Sequence, residues 1–365
     1  VILAVNIGSS TLKYAAYDLQ DGRVGVAHSK GLVDGLDALD AALGRLAQDL
    51  QQQLGGRPIR AIAHRVVHGG GVFDGPALLD AGVLSTLETF SDLAPLHQPH
   101  NIRGAKACMA AFPNTPQVAC FDTAFHVSLW PEERRFAIPR ALHDRGIRRF
   151  GFHGLSYDFL RTELQGRSEK AHGRVVMAHL GNGASLCAMV DGQSVATTMG
   201  FSALDGLMMG TRSGALDAGV LLALLREGWD VNRLEHMLYR ESGLLGVSGV
   251  SSDMRSLRAS DNPHAQEAIK LFEHRVVREI GGLTALLGGL DALVFTGGIG
   301  EHDAALRKHV CARLAHLGVD IDANRHSALE GSGSIHAEGS NAEVWVIQTD
   351  EGRVAAQQAA DLLRL

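Results

Sequence analysis

Glycine, asparagine and serine gather at three turns whose backbone N–H groups can face a phosphate chain. Residues 174–192, RVVMAHLGNGASLCAMVDG, read as an apolar strand, a tight turn of Gly181, Asn182 and Gly183, a second strand and a closing Asp-Gly turn. Residues 1–22 repeat that layout around Asn6-Ile7-Gly8-Ser9-Ser10, so one hairpin occurs twice, about half the chain length apart. Two such turns facing each other would hold a phosphate chain from both sides. The rival explanation is conformational, because glycine and asparagine supply the positive φ that tight hairpin turns demand. The third turn, Gly297-Gly298-Ile299-Gly300-Glu301, lies between a strand and a helix, where unpaired N–H groups and the helix dipole favour an anion. It lacks the Lys-Ser/Thr ending of a Walker A loop, and no G-x-G-x-x-G is placed for a dinucleotide site.

Two charged residues stand at strand ends. Arg65 closes the strand 58–67 just before His68-Gly69-Gly70-Gly71, where a side chain can project into a cleft while the backbone turns away; a surface arginine would read the same. Asp122 lies at the carboxyl end of the short apolar strand in 116–126, PQVACFDTAFH, the end at which α/β sheets place ligands. His64 and His68 have the spacing of a helical zinc pair, but the Glu of H-E-x-x-H is missing and the segment is β-branched, so a metal is not expected there. A solvated face accounts for most of the arginines in the loop-like 131–149.

The elements that must carry these residues alternate. Helical spacing marks 36–50, 102–112, 220–226, 265–287 and 354–363, with further helices starting near 83, 158 and 303; strands are expected at 293–296 and 344–347. The prolines of 93–101, LAPLHQPHN, argue against a regular element there. Residues 197–217 form a long glycine-rich loop, a length more often functional than idle, and 243–255 is another glycine- and serine-rich passage.

At 365 residues the chain exceeds one hydrophobic core, and two domains are expected, in keeping with the repeated hairpin. A net charge of −6 removes default attraction to nucleic acid or anionic membrane, so any anionic ligand must be met by placed arginines or lysines. Four scattered cysteines form neither a zinc site nor a disulfide framework. No apolar run reaches a membrane span, and residues 1–7 read as a strand rather than a signal peptide, so a cytoplasmic protein is expected.

Taken in order, NIGSSTLK at Asn6, HRVVHGG, LAPLHQPHN, FDTAFH, FGFHGLSY, HLGNG, GLMMGTRSG, GVSGVSSDMR, FTGGIGEH and TDE at Thr349 span nearly the whole chain. On these motifs the sequence resembles the acetokinase family, within the actin, sugar-kinase and heat-shock-ATPase superfamily. The resemblance implies an α/β fold of two ribonuclease-H-like (actin/hexokinase-type) domains with a nucleotide cleft between them. It implies an acid-substrate domain over 1–149, a nucleotide-binding domain over 150–350 and a C-terminal helix, 351–365, returning to the first. It also implies a homodimer and a reversible reaction in which ATP and acetate give ADP and acetyl phosphate with Mg²⁺, or Mn²⁺ in its place. Propionate or another short-chain carboxylate is the alternative acceptor, and a sugar kinase the more distant one.

The resemblance assigns roles residue by residue. Arg212 and His153 match stabilisers of the transferring phosphoryl, and Arg65 matches the residue that binds the substrate carboxylate, beside Val67, Leu96, Phe152 and Ala203. Lys13 and the run His179, Leu180, Gly181, Asn182 and Gly183 match phosphate contacts. Asp253, Met254 and Arg255, with Gly298, Ile299, Gly300, Glu301 and His302, match the adenosine side. Asn6 and Glu351 match the magnesium positions. Asp122 matches a proton donor or acceptor, yet a carboxylic acid with a pKa near ~5 is ionised at neutral pH and has no proton to give up. Asp122 is therefore expected to orient Arg212, a magnesium-bound water or the incoming acid. The family commonly has F-T-P-L-E-G where this chain has FSALDG at 201–206, so Ala203 replaces a proline that helps enclose the acyl methyl; Ala215 and Ala218 also depart from it. A sugar kinase would surround its acceptor hydroxyl with Asp, Asn and Glu rather than two arginines, and a non-catalytic nucleotide sensor would have no reason to keep Arg65 together with Asp122.

Overall fold

A computed structural model describes residues 1–8, 11–34, 50, 53–94 and 97–365. Most of the helix expected at 36–50, together with Ser9, Ser10 and Leu96, lies outside the described residues. The chain folds as two compact units, one of Val1–Val127, Phe152–Phe159 and Asp350–Leu365, the other of Ser128–Gly151 and Leu160–Thr349.

Each unit is built on a six-stranded sheet, and the two sheets follow one plan. In the first unit, β1 (Ile2–Ile7), β2 (Thr11–Gln20) and β3 (Arg23–Asp34) form an antiparallel meander. β4 (Ala61–Val66) adds parallel to β1, β6 (Gln117–Phe121) parallel to β4, and the short β5 (Ala77–Leu78) antiparallel to β6. In the second unit, β7 (Arg174–Leu180), β8 (Ala184–Val190) and β9 (Gln193–Thr197) repeat the meander. There β10 (Ala292–Thr296) and β12 (Glu343–Val346) add in parallel, with β11 (Gly333–Ser334) antiparallel at the edge. The Asp-Gly pair closing each hairpin is a turn with both residues at positive φ, 49° and 75° at Asp21-Gly22 and 50° and 71° at Asp191-Gly192. That geometry matches the strand twist and leads each hairpin into its third strand.

Alternation along the strands decides what the first site receives. On β1, Leu3, Val5 and Ile7 pack with Leu12 and Ile62 on one face, while Ile2 and Ala4 pack with the closing helix Glu351–Leu363 on the other. That helix buries a face of Ala355, Ala356, Ala359 and Ala360 against Ala61, Ala63, Val118 and Cys120, small side chains that let the helix approach closely. By the two-residue period, Asn6, Arg65 and Asp122 continue the same face at the carboxyl ends of β1, β4 and β6.

Several local expectations need correction. The prolines of 93–101 do not exclude a regular element: a helix runs from Gln98 to Ala111 with Pro99 in its first turn, where the missing N–H costs nothing. The stretch 131–149 contains the short helices Pro131–Arg134 and Arg140–Asp144, and 243–255 contains Gly243–Ser248. The glycine turn after β10 is itself a helical turn, Gly297–His302. The long loop after β9 stands, with no regular element until the helix Ala218–Arg226.

Candidate functional site

In the first unit the carboxyl ends of the parallel strands carry a linked set of charges. Arg65 Nη2 donates to Asp122 Oδ2 at 2.7 Å, and its Nε lies 3.1 and 3.2 Å from the two carboxylate oxygens. Its Nη1 reaches Glu351 Oε2 at 2.7 Å. Burial alone works against the Arg65 charge, but Asp122 and Glu351 outweigh it and hold the guanidinium pKa above its ordinary value. Asp122, which the sequence offered as an orienter of Arg212, a water or the acid, is thus bound to Arg65, its neighbour across β4 and β6.

A cavity of about 520 Å³ opens beside this set, lined by Asn6, Lys13, Arg65 and Glu351 together with Tyr14, Tyr17, Lys30 and Asp350. Asp350 caps the closing helix by accepting from Arg353 N at 3.2 Å, and also accepts from Tyr17 Oη at 2.5 Å and Lys30 Nζ at 3.3 Å. Burial first, and then Asp350, raise the Tyr17 pKa, so its hydroxyl stays a donor. A Cβ on Gly352 would meet that hydroxyl at 2.5 Å, so glycine is what admits the ring to the helix start. Asn6 and Glu351 present oxygen donors to one cavity, a set that suits a hard cation that keeps most of its waters. Among the described residues no group of three or more His, Cys, Asp or Glu could hold a metal.

Asn101 ties the ends of two strands: its Oδ1 accepts from Val67 N at 3.1 Å and its Nδ2 donates to Ile7 O at 2.9 Å. Val67 is half-buried and Phe152 is buried, its ring edge-on to His68 at 5.6 Å and its carbonyl 2.9 Å from His126 Nε2. Neither lines the cavity. His153 follows with φ of 60°, a left-handed backbone costly for a side chain of this type. The next N–H, of Gly154, donates to Asp122 O at 3.1 Å, so this strained turn is pinned to the end of β6. Strain of this kind concentrates at functional sites.

In the second unit Arg212 stands in the opposite electrostatic state from Arg65. Its Nη1 donates to Ala203 O at 2.6 Å, and no carboxylate pairs with it among the described residues. Desolvation pushes its pKa down to about 10, still well above neutrality, so the half-buried guanidinium stays charged. The loop that supplies Ala203 is gripped by Arg149, whose Nη1 donates to the carbonyls of Thr197, Thr198 and Met199 at 2.9–3.1 Å.

A second cavity, about 780 Å³, lies beside the glycine turns. Of the sequence candidates it gathers Gly181, Asn182, Asp253, Met254, Arg255, Gly298, Ile299 and His302. His179, Leu180, Gly183, Gly300 and Glu301 do not line it; Ser252 joins it from within GVSGVSSDMR, and Arg258, Ala259 and Asp303 join it without any sequence signal. Gly297, at φ 77°, would put a Cβ 2.7 Å from Leu180 O, so only glycine lets this turn lie against the end of β7. Glu301 turns inward: its Oε1 accepts from Thr296 Oγ1 at 3.1 Å, Gly297 N at 2.9 Å and Thr349 N at 3.3 Å. Buried Arg307 closes the other end, donating to Gly300 O and Glu301 O at 2.8 Å each.

Two sheets of this shared order, each a hairpin meander continued by parallel strands, make the molecule a two-domain α/β protein of the ribonuclease-H-like, actin and sugar-kinase class. Within that class the chain belongs to the acetokinase family, whose model matches residues 33–357. An acetate kinase of Rhodopseudomonas palustris is 47% identical over 386 aligned residues, which cover 98% of this chain and 97% of that protein. Among solved structures, a propionate kinase from Francisella tularensis is 36% identical with a TM-score of 0.89, covering 98% of both chains. The acetate kinase of Porphyromonas gingivalis is 32% identical with a TM-score of 0.88, covering 99% of both. The family is one of enzymes, and the chain is a kinase. Among the described residues no helix is long and apolar enough to cross a membrane.

Proposed function

We propose that the chain transfers the γ-phosphoryl of ATP to the carboxylate of acetate, giving acetyl phosphate and ADP, reversibly and with Mg²⁺. The observation that carries this reading is the contrast between the two arginines. Arg65, oriented by Asp122, is a fork for a small carboxylate where Glu351 gives it up to the cation, whereas Arg212, half-buried with no carboxylate partner among the described residues, is suited to charge that develops on a transferring phosphoryl. Acetate is already ionised at neutral pH, so its oxygen attacks phosphorus directly and the bond to the leaving ADP oxygen breaks with no proton moved. Asp122 then serves by holding Arg65 in place, and His153 donates to a phosphoryl oxygen. Asn6 and Glu351 would hold Mg²⁺, which when bound neutralises charge on the phosphate oxygens. The turn Gly181–Asn182–Gly183 and Lys13 would contact the phosphates, and the second cavity would take the nucleoside.

Propionate is the second reading, favoured by one position. Ala203 stands where the family commonly has proline, and one methylene in an apolar pocket is worth only ~1–3 kcal/mol of discrimination. The likeness to the Francisella propionate kinase supports it. Trapping with hydroxylamine tests both, since only an acyl phosphate yields the hydroxamate. Signal is expected with acetate and more weakly with propionate; none with acetate, propionate or butyrate overturns the reading.

We also propose a cytoplasmic homodimer. The helix Ala218–Arg226 has no buried residue although Val220, Leu222 and Leu225 are 40%, 51% and 44% exposed, a face that a second copy would cover. Sedimentation of the wild type and of Leu222→Glu tests it: a dimer is expected for the first and a monomer for the second.

A further inference from the structure

The second cavity contains an arginine for which the phosphate chemistry has no use. Arg258 lines it beside Met254, Ala259 and Ile299. Its Nε donates to Asp303 Oδ2 at 3.0 Å and its Nη2 to Glu273 Oε1 at 2.7 Å. Asp303 is itself fixed, because its other oxygen caps the following helix by accepting from Leu306 N at 2.9 Å. Glu273 is buried, does not line the cavity and is also approached by His309 Nδ1 at 3.2 Å. The guanidinium plane is therefore clamped from two sides, while Nη1 has no partner among the described residues.

Charge decides what that third donor can serve. Two carboxylates against one guanidinium leave the cluster without net positive charge, so it offers a phosphate chain no attraction. The nearby Arg255, its side chain 90% exposed and paired with Asp253 at 3.4 Å, is not oriented in this way. A compensated, oriented arginine instead suits a neutral ligand, donating one hydrogen bond and offering its planar face to an aromatic ring. Buried Met254, with Ile299 and Ala259, supplies apolar surface for the faces of such a ring.

We propose that Arg258 recognises the nucleoside part of the bound nucleotide, its Nη1 and planar face meeting the base. This rests on the reading of the second cavity as the nucleotide site. It makes the base contact a product of the Asp303–Arg258–Glu273 clamp rather than of the glycine turns.

The test compares wild type with Arg258→Met and Arg258→Lys. Lysine keeps a cation between Asp303 and Glu273 but has no planar fork, so it should fold like wild type while losing the contact. In both variants the Kd for ADP by calorimetry and the KM for ATP should rise about tenfold, the loss of one charge-assisted hydrogen bond. The kcat, the KM for acetate and inhibition by inorganic tripolyphosphate should not move. Unchanged ADP affinity in the folded Lys variant, or a loss shared equally by ADP and tripolyphosphate, overturns the proposal. A crystal structure of the wild type with ADP decides it without any variant: Arg258 against the base supports it, and Arg258 out of reach of the nucleoside overturns it. If wild-type protein fails to bind ADP at all, the nucleotide reading falls instead.

Discussion

Arg65 and Asp122, from neighbouring parallel strands, hold each other through a fork of contacts at 2.7, 3.1 and 3.2 Å, with the carboxylate buried and the arginine reaching on to Glu351. The pair accounts for an aspartate whose chemistry is otherwise hard to place beside anionic substrates. It makes the carboxylate a support for the residue proposed to bind the acid.

Asp122→Asn therefore should act through Arg65. The amide keeps the shape but weakens the charge-assisted fork, and misplacement of the acid is expected to cost about 10²-fold in kcat/KM for acetate. The KM for ATP should change little. Steady-state kinetics with each substrate varied would show it, and near wild-type turnover would remove Asp122 from the site.

Arg212→Ala should cost on the order of 10³ in kcat, as for an arginine that neutralises a transferring phosphoryl. Stability should hardly fall, because among the described residues the side chain's one hydrogen bond is to Ala203 O, and a half-buried charge with no carboxylate partner is removed with it. Turnover and thermal unfolding measured on the same preparation separate the two effects.

His153→Gly probes stored strain. Relief of a left-handed histidine, about 1–2 kcal/mol, is offset by about 0.4–1 kcal/mol from the freer unfolded chain. The melting temperature should stay within a few degrees while kcat falls about 10²-fold. A matching collapse of both would mean the side chain is structural.

Glu301 separates by the kind of replacement. Glu301→Gln keeps an acceptor for Gly297 N and Thr349 N and should stay near wild type. Glu301→Ala strands those donors, at about 1–3 kcal/mol for each that stays buried, and should raise the KM for ATP. Equal kinetics in the two variants would contradict the positioning role.

Acid should unfold the protein through histidines. Burial pushes His64, His68 and His126 down to about 4 each. Their unfolded values are near ~6.5, so between these limits the unfolded state binds more protons. Stability is full above ~6.5 and falls by roughly 1.4 kcal/mol per pH unit for each histidine as pH drops toward 4. Urea unfolding at pH 7, 6 and 5 measures the slope, and a flat profile over that window would show that these rings are not held neutral.

Local chemistry was legible in the sequence alone. The repeated hairpins, the Asp-Gly turns, the strand ends carrying Arg65 and Asp122 and the glycine turn after β10 follow from alternation and turn residues, which act over a few positions. The ordered motifs gave the family and with it Arg212 and His153. Pro99 gives no such signal, because proline in a helix's first turn looks the same in sequence as proline in a loop.

Only the tertiary structure decided the partnerships. Arg65 and Asp122 are 57 residues apart, Arg258 and Asp303 are 45, and Tyr17 and Asp350 are 333, so no local pattern can announce them. Whether an arginine is paired with carboxylates, as Arg65 and Arg258 are, or left half-buried with no such partner among the described residues, as Arg212 is, depends on which strand ends and helix starts the fold assembles around it. Residue type and spacing determined which side chains carry charge, and packing determined what each charge is available to bind.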